Sequence, residues 1–468
     1  MSIRLYNTLT GKKEEFIPLA AKEVRMYVCG ITPYDSCHLG HARCYVVFDC
    51  LRRFFSWSGY QVNYVQNFTD IDDKIIKRAA ELKTSPGDLA RKYIAEYYIM
   101  MDQLNIQRAS VYPLVTEHIG EIIDFVQVLL NKGFAYVSEG NVFFSVRKFS
   151  GYGRLSKRGL EELLAGARVE VDPRKKDPLD FALWKSVSPE EEICWDSPWG
   201  RGRPGWHIEC STMSKKYLGE SFDLHGGGAD LIFPHHENEI AQSEGFSGKP
   251  MVRCWLHNGF VTIKEDKMSK SLGNFFTVAQ IFQQASPMAV RFFLLNQHYR
   301  SPLDFSLERL EEAKQGWQRI TGAEEKAVFL LDKLDEQKQV LPVLDEKTEK
   351  IKNNFRLAME DDFNTALAIG EIFNLAGMLN KYSALGADSL NKIKGALTVL
   401  KEFKSILGLE LSAENKETEK NKIEELIKKR EEARMKKDWA SADQLRRELE
   451  KLEIVLEDTP HGTRWRKK

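Results

Sequence analysis

Val24-Arg-Met-Tyr-Val-Cys29-Gly30, Ile31-Thr-Pro33-Tyr-Asp-Ser-Cys37 and His38-Leu39-Gly40-His41-Ala-Arg-Cys-Tyr-Val-Val47-Phe-Asp49 run on as one continuous stretch. Val24, Met26 and Val28 alternate with Arg25, Tyr27 and Cys29, which is the period of a β-strand. Gly30 and Pro33 break the strand into a loop. Beyond His41, Val47, Leu51 and Phe54 recur at helical spacing, so the loop empties into a helix whose first turn carries His38-Leu39-Gly40-His41. A strand, a small-residue turn and a helix start present free N–H groups and a positive dipole end to an anion. Gly40 leaves room for close approach to the backbone, and His38 and His41 can hydrogen-bond phosphate oxygens. The expectation is a nucleotide-phosphate site.

Outward from this stretch, Gln61-Val-Asn-Tyr64-Val65 reads as a second strand, ending at Gln66-Asn67-Phe68-Thr69-Asp70. Strand, helix, strand is the opening of a doubly wound parallel sheet, which binds ligands beyond the carboxyl ends of its strands. Cys29 and Thr69 both fall near such ends. Neither GxGxxG nor GxxxxGK[ST] occurs, which removes support for a dinucleotide Rossmann enzyme and for a P-loop NTPase. Lysine plus arginine and aspartate plus glutamate number 68 each in 468 residues, so any nucleic-acid surface must be a local basic patch. Seven dispersed cysteines suit reduced thiols better than a disulfide framework. The start, Met1-Ser-Ile-Arg-Leu-Tyr6, has no apolar targeting core, and no apolar run is long enough to span a bilayer; a cytoplasmic protein with no membrane partner is expected.

His38-Leu-Gly-His41 resembles the HIGH signature of class I aminoacyl-tRNA synthetases, and Lys267-Met-Ser-Lys270-Ser271 matches their KMSKS signature, in the same order. Cys29, Gly205-Trp206-His-Ile-Glu-Cys210, Gly226-Gly-Gly228, Phe233-Pro-His235-His-Glu-Asn-Glu239 and Thr459-Pro-His-Gly-Thr-Arg-Trp465 narrow the resemblance to the cysteinyl-tRNA synthetase family. The resemblance covers nearly the whole chain. It implies an α/β protein: a Rossmann-like doubly wound catalytic domain with an inserted connective peptide, followed by a mainly α-helical anticodon-binding region. The expected divisions are 1–114 and 201–260 for the catalytic halves, 115–200 for the insertion, 261–305 for the KMSKS loop and stem-contact region, 306–410 for a helical bundle and 411–468 for anticodon recognition. Local expectations are a helix over Ile119 to Asn131, a hairpin near Phe134 to Val146, helices from Trp206 and from His235, and strands at Phe222–His225 and Met251–Leu256. Asp362-Phe-Asn-Thr resembles the start of the family's helical anticodon-binding domain. A polar linker is expected between roughly Leu411 and Asn421, and a basic tail at Arg464 to Lys468.

The resemblance assigns one Zn²⁺ to Cys29, Cys210, His235 and Glu239. His235 and Glu239, four apart at a helix start, share a face, and two thiolates complete an N/O/S set appropriate to zinc. The metal has a chemical reason. Cysteine and serine differ by one atom, and an ordinary pocket separates such pairs by only about 10- to 200-fold. Zinc favours a soft thiolate over an alcohol, so no hydrolytic editing site is needed, and the insertion, under about 90 residues, looks short for one. Taken singly, a strand cysteine is more often core and a His-Glu pair more often a surface contact. A rival set, Cys37, His38 and His41, is rejected because the histidines are better used on ATP; Cys44, Cys50, Cys194 and Cys254 read as structural.

By the same resemblance His38 and His41 hold ATP phosphates from one side, with Gly40, Gly226 and Gly227 alongside, while Lys267 and Lys270 close from the other on a glycine- and serine-bearing loop. Magnesium accompanies the ATP. Thr69 and Trp206 match positions lining the cysteine pocket, Asp230 is a candidate partner for the α-ammonium, and His225, His236 and His257 shape the pocket without a catalytic role. Arg434, Trp439, Asp443 and Asp458 match the anticodon-contacting region, although a solvated charged helix would look the same. The implied reaction joins L-cysteine to tRNA(Cys) at the cost of ATP, by a monomer. Three rivals remain. A cysteine:aminosugar ligase of the mycothiol pathway lacks the roughly 160 residues that follow Phe305 here. A non-catalytic tRNA-binding paralogue would have lost a motif residue. A zinc hydrolase would carry an HExxH-type motif.

Overall fold

The computed structural model describes residues 2–162, 172–188, 190–191, 193–263, 266–267, 275–334, 340–410, 413–436, 438–451, 454–459 and 462–467, with backbone alone at 266–267, 413–422, 450–451, 455, 457–459 and 462–467. An antiparallel pair, β1 (Arg4–Asn7) and β2 (Lys12–Glu15), precedes β3 (Glu23–Val28). From the loop after β3 rises α1 (Leu39–Trp57), which returns the chain to β4 (Gln61–Gln66), parallel to β3 in the register Val24↔Val62 and Val28↔Gln66. Two helices, α2 (Asp73–Leu82) and α3 (Pro86–Gln103), follow. After α4 (Ile119–Asn131) the strands β5 (Ala135–Ser138), β6 (Asn141–Phe144), β7 (Phe181–Ser186) and β8 (Gly202–Pro204) form an antiparallel sheet in chain order. Then α5 (Trp206–Leu218), β9 (Phe222–Gly228), α6 (Glu237–Ser247) and β10 (Val252–Asn258) complete a four-stranded parallel sheet of order β10-β9-β3-β4.

This is the doubly wound sheet expected from the opening stretch. Val24, Met26, Tyr27 and Val28 are all fully buried, as suits a parallel strand covered on both faces. One continuous apolar cluster runs from α1 into the helical region; a second joins Tyr27 and Cys29 to α4, α5, α6 and the antiparallel sheet. Beyond β10 come β11 (Val261–Ile263), β12 (Asp266–Lys267), α7 (Val278–Phe282), α8 (Pro287–Leu295) and β13 (Leu303–Asp304). The helices α9 (Leu307–Leu334), α10 (Glu346–Glu360), α11 (Thr365–Leu385) and α12 (Leu390–Leu407) pack as a bundle. The chain ends in α13 (Ala413–Met435), α14 (Trp439–Lys451) and the antiparallel hairpin β14 (Ile454–Thr459) and β15 (Gly462–Lys467). Among the described residues no helix is long and apolar enough to cross a membrane.

Four local expectations need correction. The helix expected from His235 begins at Glu237, because Phe233 is extended and residues 232–236 form a wider turn. The strand expected over Phe222–His225 runs on through Gly226–Gly228 to the end of β9; a Cβ on Gly226 would lie 2.2 Å from the Phe48 ring, so α1 packs against bare backbone there. The polar stretch expected as a linker is helical from Ala413 onward, since its Glu, Lys and Asn residues carry no helix-breaking glycine or proline. The basic tail is largely strand β15 paired with β14 rather than a loose end.

The bundle is fastened to the sheet at a corner between α10 and α11. Asp362 and Phe363 both adopt left-handed backbone conformations (φ 64° and 48°), which non-glycine residues take only when surroundings impose it. The buried Asp362 carboxylate accepts hydrogen bonds from the Tyr6 amide, the Tyr299 hydroxyl and Arg300 Nε, each at 2.8 Å, while Phe363 packs edge-on against Phe54 of α1. Replacing Asp362 by alanine takes the acceptor from the buried Tyr299 hydroxyl, the Tyr6 amide and the Arg300 guanidinium and should cost about 3 kcal/mol. Asp361→Ala loses a surface pair with Lys13 and should cost under about 1 kcal/mol. Urea unfolding of the two variants checks the ordering; equal midpoints would contradict it.

Candidate metal centre and active site

Four potential metal donors converge from separate elements. Cys29 sits just past β3, Cys210 in α5, His235 in the turn before α6 and Glu239 in its first turn, and all four are buried. Their donor atoms lie within 4.8 Å of one another. Cys29 Sγ is 3.8 Å from Cys210 Sγ and 3.6 Å from Glu239 Oε1, and His235 Nε2 is 3.0 Å from the same oxygen. Donors held tetrahedrally about 2.0–2.3 Å from a zinc ion would stand about 3.3–3.8 Å apart, so the side chains fit that ion with little adjustment. The electrostatics fit as well. A hydrogen bond from the Cys29 thiol outweighs burial and brings Cys210 down to about 6. Burial disfavours the charged form of His235, but Glu239 and Cys210 overcome it and raise the imidazole to about 10. Glu239 is held near 2 against its burial by His225 and His235. Burial and the Cys210 contact push the Cys29 thiol up. One thiol is kept protonated because two adjacent buried thiolates repel.

A layer of histidines supports these donors. His225 Nε2 lies 2.9 Å from Glu239 Oε2, and its ring stacks on Trp255 at 4.5 Å. His207 Nδ1 lies 3.0 Å from His235 Nδ1. His236 lies 3.3 Å from Cys29 Sγ through Nε2 and 2.7 Å from His257 through Nδ1, and His257 in turn meets the Thr8 hydroxyl at 2.8 Å. Cys29, His225, His236 and Glu239 make a second possible donor set. The first set is the better one: it uses both thiols, including the one already acidic, and leaves His225 free to orient the carboxylate from behind, as histidines and carboxylates around metal sites commonly do.

The two histidines of the opening stretch meet at the start of α1. His38 is the N-cap and His41 the third helical residue; each ring nitrogen Nδ1 accepts from the other's backbone N–H, and the rings stack at 3.7 Å. The segment that follows the KMSKS residues is pinned to this corner, with the Leu39 amide donating to Phe276 O and the Val278 amide to Cys37 O. Lys267 lies in β12 with its backbone described; Lys270 lies outside the described residues.

Thr69 is buried and its hydroxyl donates to Glu209 Oε2 at 2.8 Å, one residue from Cys210. The Trp206 ring is half-exposed and 4.4 Å from that of His235, so Trp206 borders the metal donors on the open side. Asp230 is exposed just past β9, and its carboxylate folds back to where a Cβ of Gly228 would be, 2.4 Å away. Gly227 faces Leu231 and His236. Arg434 and Asp443 are exposed on α13 and α14, Trp439 is 60% exposed, and Asp458 stands opposite Thr463 in the terminal hairpin.

Residues 15–315 match the model of the class I tRNA synthetase (C) catalytic domain, residues 354–412 the DALR domain and residues 420–466 the cysteinyl-tRNA ligase anticodon binding domain. A cysteine–tRNA ligase of Desulforamulus reducens is 51% identical, covering 99% of this chain and 100% of that protein. One from Geobacillus thermodenitrificans is 49% identical over 100% of this chain and 99% of its own length. The chain belongs to the cysteinyl-tRNA synthetase family. The wider class I fold is evident in Mycobacterium tuberculosis methionyl-tRNA synthetase bound by methionyl-adenylate, at TM-score 0.61 and 16% identity over 82% of this chain and 90% of that one. An Agrobacterium radiobacter LeuRS–tRNA–LeuAMS complex aligns at TM-score 0.60 and 12% identity, over 84% and 85%.

Sequence reading of this family member missed Glu209, Asn67 and the layered arrangement of the histidines. Asn67 was legible only as a strand-end polar residue, yet its Oδ1 accepts from the Gly30 amide at 2.9 Å, and Gly30 cannot carry a side chain because a Cβ would lie 1.5 Å from Asn67 O. Burial pushes the Cys44, Cys50 and Cys254 thiols up, consistent with their reading as structural.

Zinc affinity, measured by competition with a chromophoric chelator, should fall at least 100-fold in Cys210→Ala and Glu239→Gln and about 10- to 100-fold in His225→Asn. Cys194→Ala should leave it unchanged. Binding must displace protons from Cys29 and His235, so affinity should fall as the pH is lowered. Wild-type affinity in Cys210→Ala would contradict the donor assignment.

Proposed function

We propose that the chain is a cysteine–tRNA ligase that activates L-cysteine with ATP to cysteinyl-adenylate and pyrophosphate, then transfers the cysteine to the 3′-terminal adenosine of tRNA(Cys). The observation that carries this reading is the four-donor cluster beneath Trp206, joined through β3 and its loop to the histidine pair at the start of α1. The substrate carboxylate attacks the α-phosphorus in line and pyrophosphate leaves, a step that depends on positioning and charge neutralisation. His38 and His41, with Gly40, Gly226 and Gly227, line the nucleotide on one side; Lys267 and Lys270 bind its phosphates from the other, with Mg²⁺ as counter-ion. Thr69 and Trp206 enclose the amino acid, and Asp230 takes its α-ammonium.

Cys29, Cys210, His235 and Glu239 hold Zn²⁺, which when bound favours a thiolate over the alcohol of serine. Burial of the four donors keeps water from competing for the position. Arg434, Trp439, Asp443 and Asp458 contact the anticodon; the first three lie on the surface, where unpaired bases can reach them. The domain divisions follow as 1–114 and 201–260 (catalytic), 115–200 (insertion), 261–305, 306–410 and 411–468, in a cytoplasmic monomer. The match of residues 420–466 to an anticodon-binding domain counts against an aminosugar ligase.

ATP–pyrophosphate exchange should be strong with cysteine and at least 100-fold weaker with serine, should fall on zinc chelation and should return on zinc addition. Charging of tRNA(Cys) should then follow. Absence of exchange with cysteine from zinc-replete protein would sink the adenylation reading.

A further inference from the structure

A buried polar joint sits at the far side of α1 from the histidine pair. Asp49, near the middle of α1, accepts at Oδ2 from Arg53 Nε (2.7 Å) and from Arg291 Nη2 of α8, and at Oδ1 from the Gln107 amide (2.9 Å). Arg291 is fully buried; its Nη1 donates to Leu104 O and its Nε to Leu407 O, both at 2.8 Å. Asn105 donates through Nδ2 to Gly408 O at 3.0 Å and also reaches Glu410 O, while Arg53 reaches Asn105 O at 2.6 Å and Ser405 O at 3.4 Å. Two carbonyls in the last turn of α12, those of Ser405 and Leu407, therefore accept from Arg53 and Arg291, and Asn105 holds the two carbonyls just beyond the helix, those of Gly408 and Glu410. Two of the three are cations placed at the negative end of the helix dipole.

The fit is close. Gly408 ends α12 in the left-handed conformation (φ 63°), and a Cβ there would lie 2.2 Å from Arg291 Nη2. Asn105 is itself left-handed (φ 55°). Carbonyl capping of this kind fixes direction as well as position, because each N–H···O bond weakens steeply off its axis. The helix so fixed is the last of the bundle; α13, the first element of the anticodon-recognition segment, begins at Ala413.

We propose that Arg291 and Asn105 are positioning residues for tRNA charging: they fix the exit direction of the chain from α12 relative to α1, so that the terminal acceptor and the anticodon can be engaged at once. This rests on the tRNA-ligase reading. Adenylation does not need the anticodon segment, and neither residue lies at the donor cluster or the histidine pair, so the joint should act on charging alone.

The experiment crosses protein variants with tRNA(Cys) transcripts carrying the native or a substituted anticodon, a double-mutant cycle between the joint and the anticodon contacts. Arg291→Lys keeps the cation but loses the fork that reaches Asp49 and the carbonyls of Leu104, Asn105 and Leu407. Asn105→Gly removes the amide while accepting the left-handed backbone, and serves as the second probe should Arg291→Lys fold poorly. Both should leave cysteine-dependent pyrophosphate exchange, in kcat and in KM for ATP, within about twofold of wild type. Charging of the native transcript should fall about tenfold in kcat/KM, and that of the anticodon-substituted transcript less than about twofold. Equal losses on both transcripts, a matching loss in exchange, or no loss at all would each overturn the proposal. Wild-type protein that charges neither transcript would overturn the ligase reading and the proposal with it.

Discussion

Two thiols, one carboxylate and a supporting layer of imidazoles share a single buried point, and their mutual charge is the constraint on which the rest of the site depends. Two thiolates and a carboxylate cannot all be ionised in a water-excluded pocket unless a cation joins them. The protein without metal resolves this by keeping the Cys29 thiol protonated against Cys210 and by charging His235 against Glu239. A divalent ion would relieve the same strain and deprotonate the donors together. The donors come from the end of β3, from α5, from the turn before α6 and from α6 itself, so the parallel sheet and the helices on one of its faces must be in place before the point exists.

The other face of the sheet serves a different purpose. α1 is buried along most of its length because it is shared: its first turn carries the histidine pair, its middle packs on β9 at Gly226 and carries Asp49, and its later turns carry the Phe54 contact with the bundle. Arg43, one turn into α1, sends its guanidinium to the carbonyls of Gly259, Phe260 and Tyr299 and so ties the helix to the segment that leads into the KMSKS residues and to the one between α8 and β13. One helix thus sets the histidine pair, the segment leading into that loop and the seat of the helical region in a common frame.

Much of this was legible in the sequence, for identifiable reasons. The alternation through Val24–Val28 and the spacing of Val47, Leu51 and Phe54 announce a strand and a helix because burial on opposite faces leaves those periods. Ile119–Asn131 and the helix from Trp206 were placed to the residue. The four donors were named from resemblance, not from spacing, since 181 residues separate Cys29 from Cys210 and nothing local links them. The helix start at His235 was misplaced because a proline just ahead of it reads as a first helical position, whereas the chain first makes a wider turn over residues 232–236. The terminal hairpin was hidden by its charge: Arg464, Arg466 and Lys467 read as a solvated tail, although Arg464 and Arg466 alternate with Thr463 and Trp465 at the period of a strand. The joint at Arg291 could not be seen at all, because an arginine in an apolar helix gives no sign of which carbonyls it will meet.

X-ray absorption at the zinc edge of the zinc-loaded protein tests the central assignment most directly. Cys29, Cys210, His235 and Glu239 predict two sulfur and two nitrogen or oxygen ligands, falling to one sulfur in Cys210→Ala. A single sulfur in the wild-type protein would place the ion instead among Cys29, His225, His236 and Glu239, and would contradict the account.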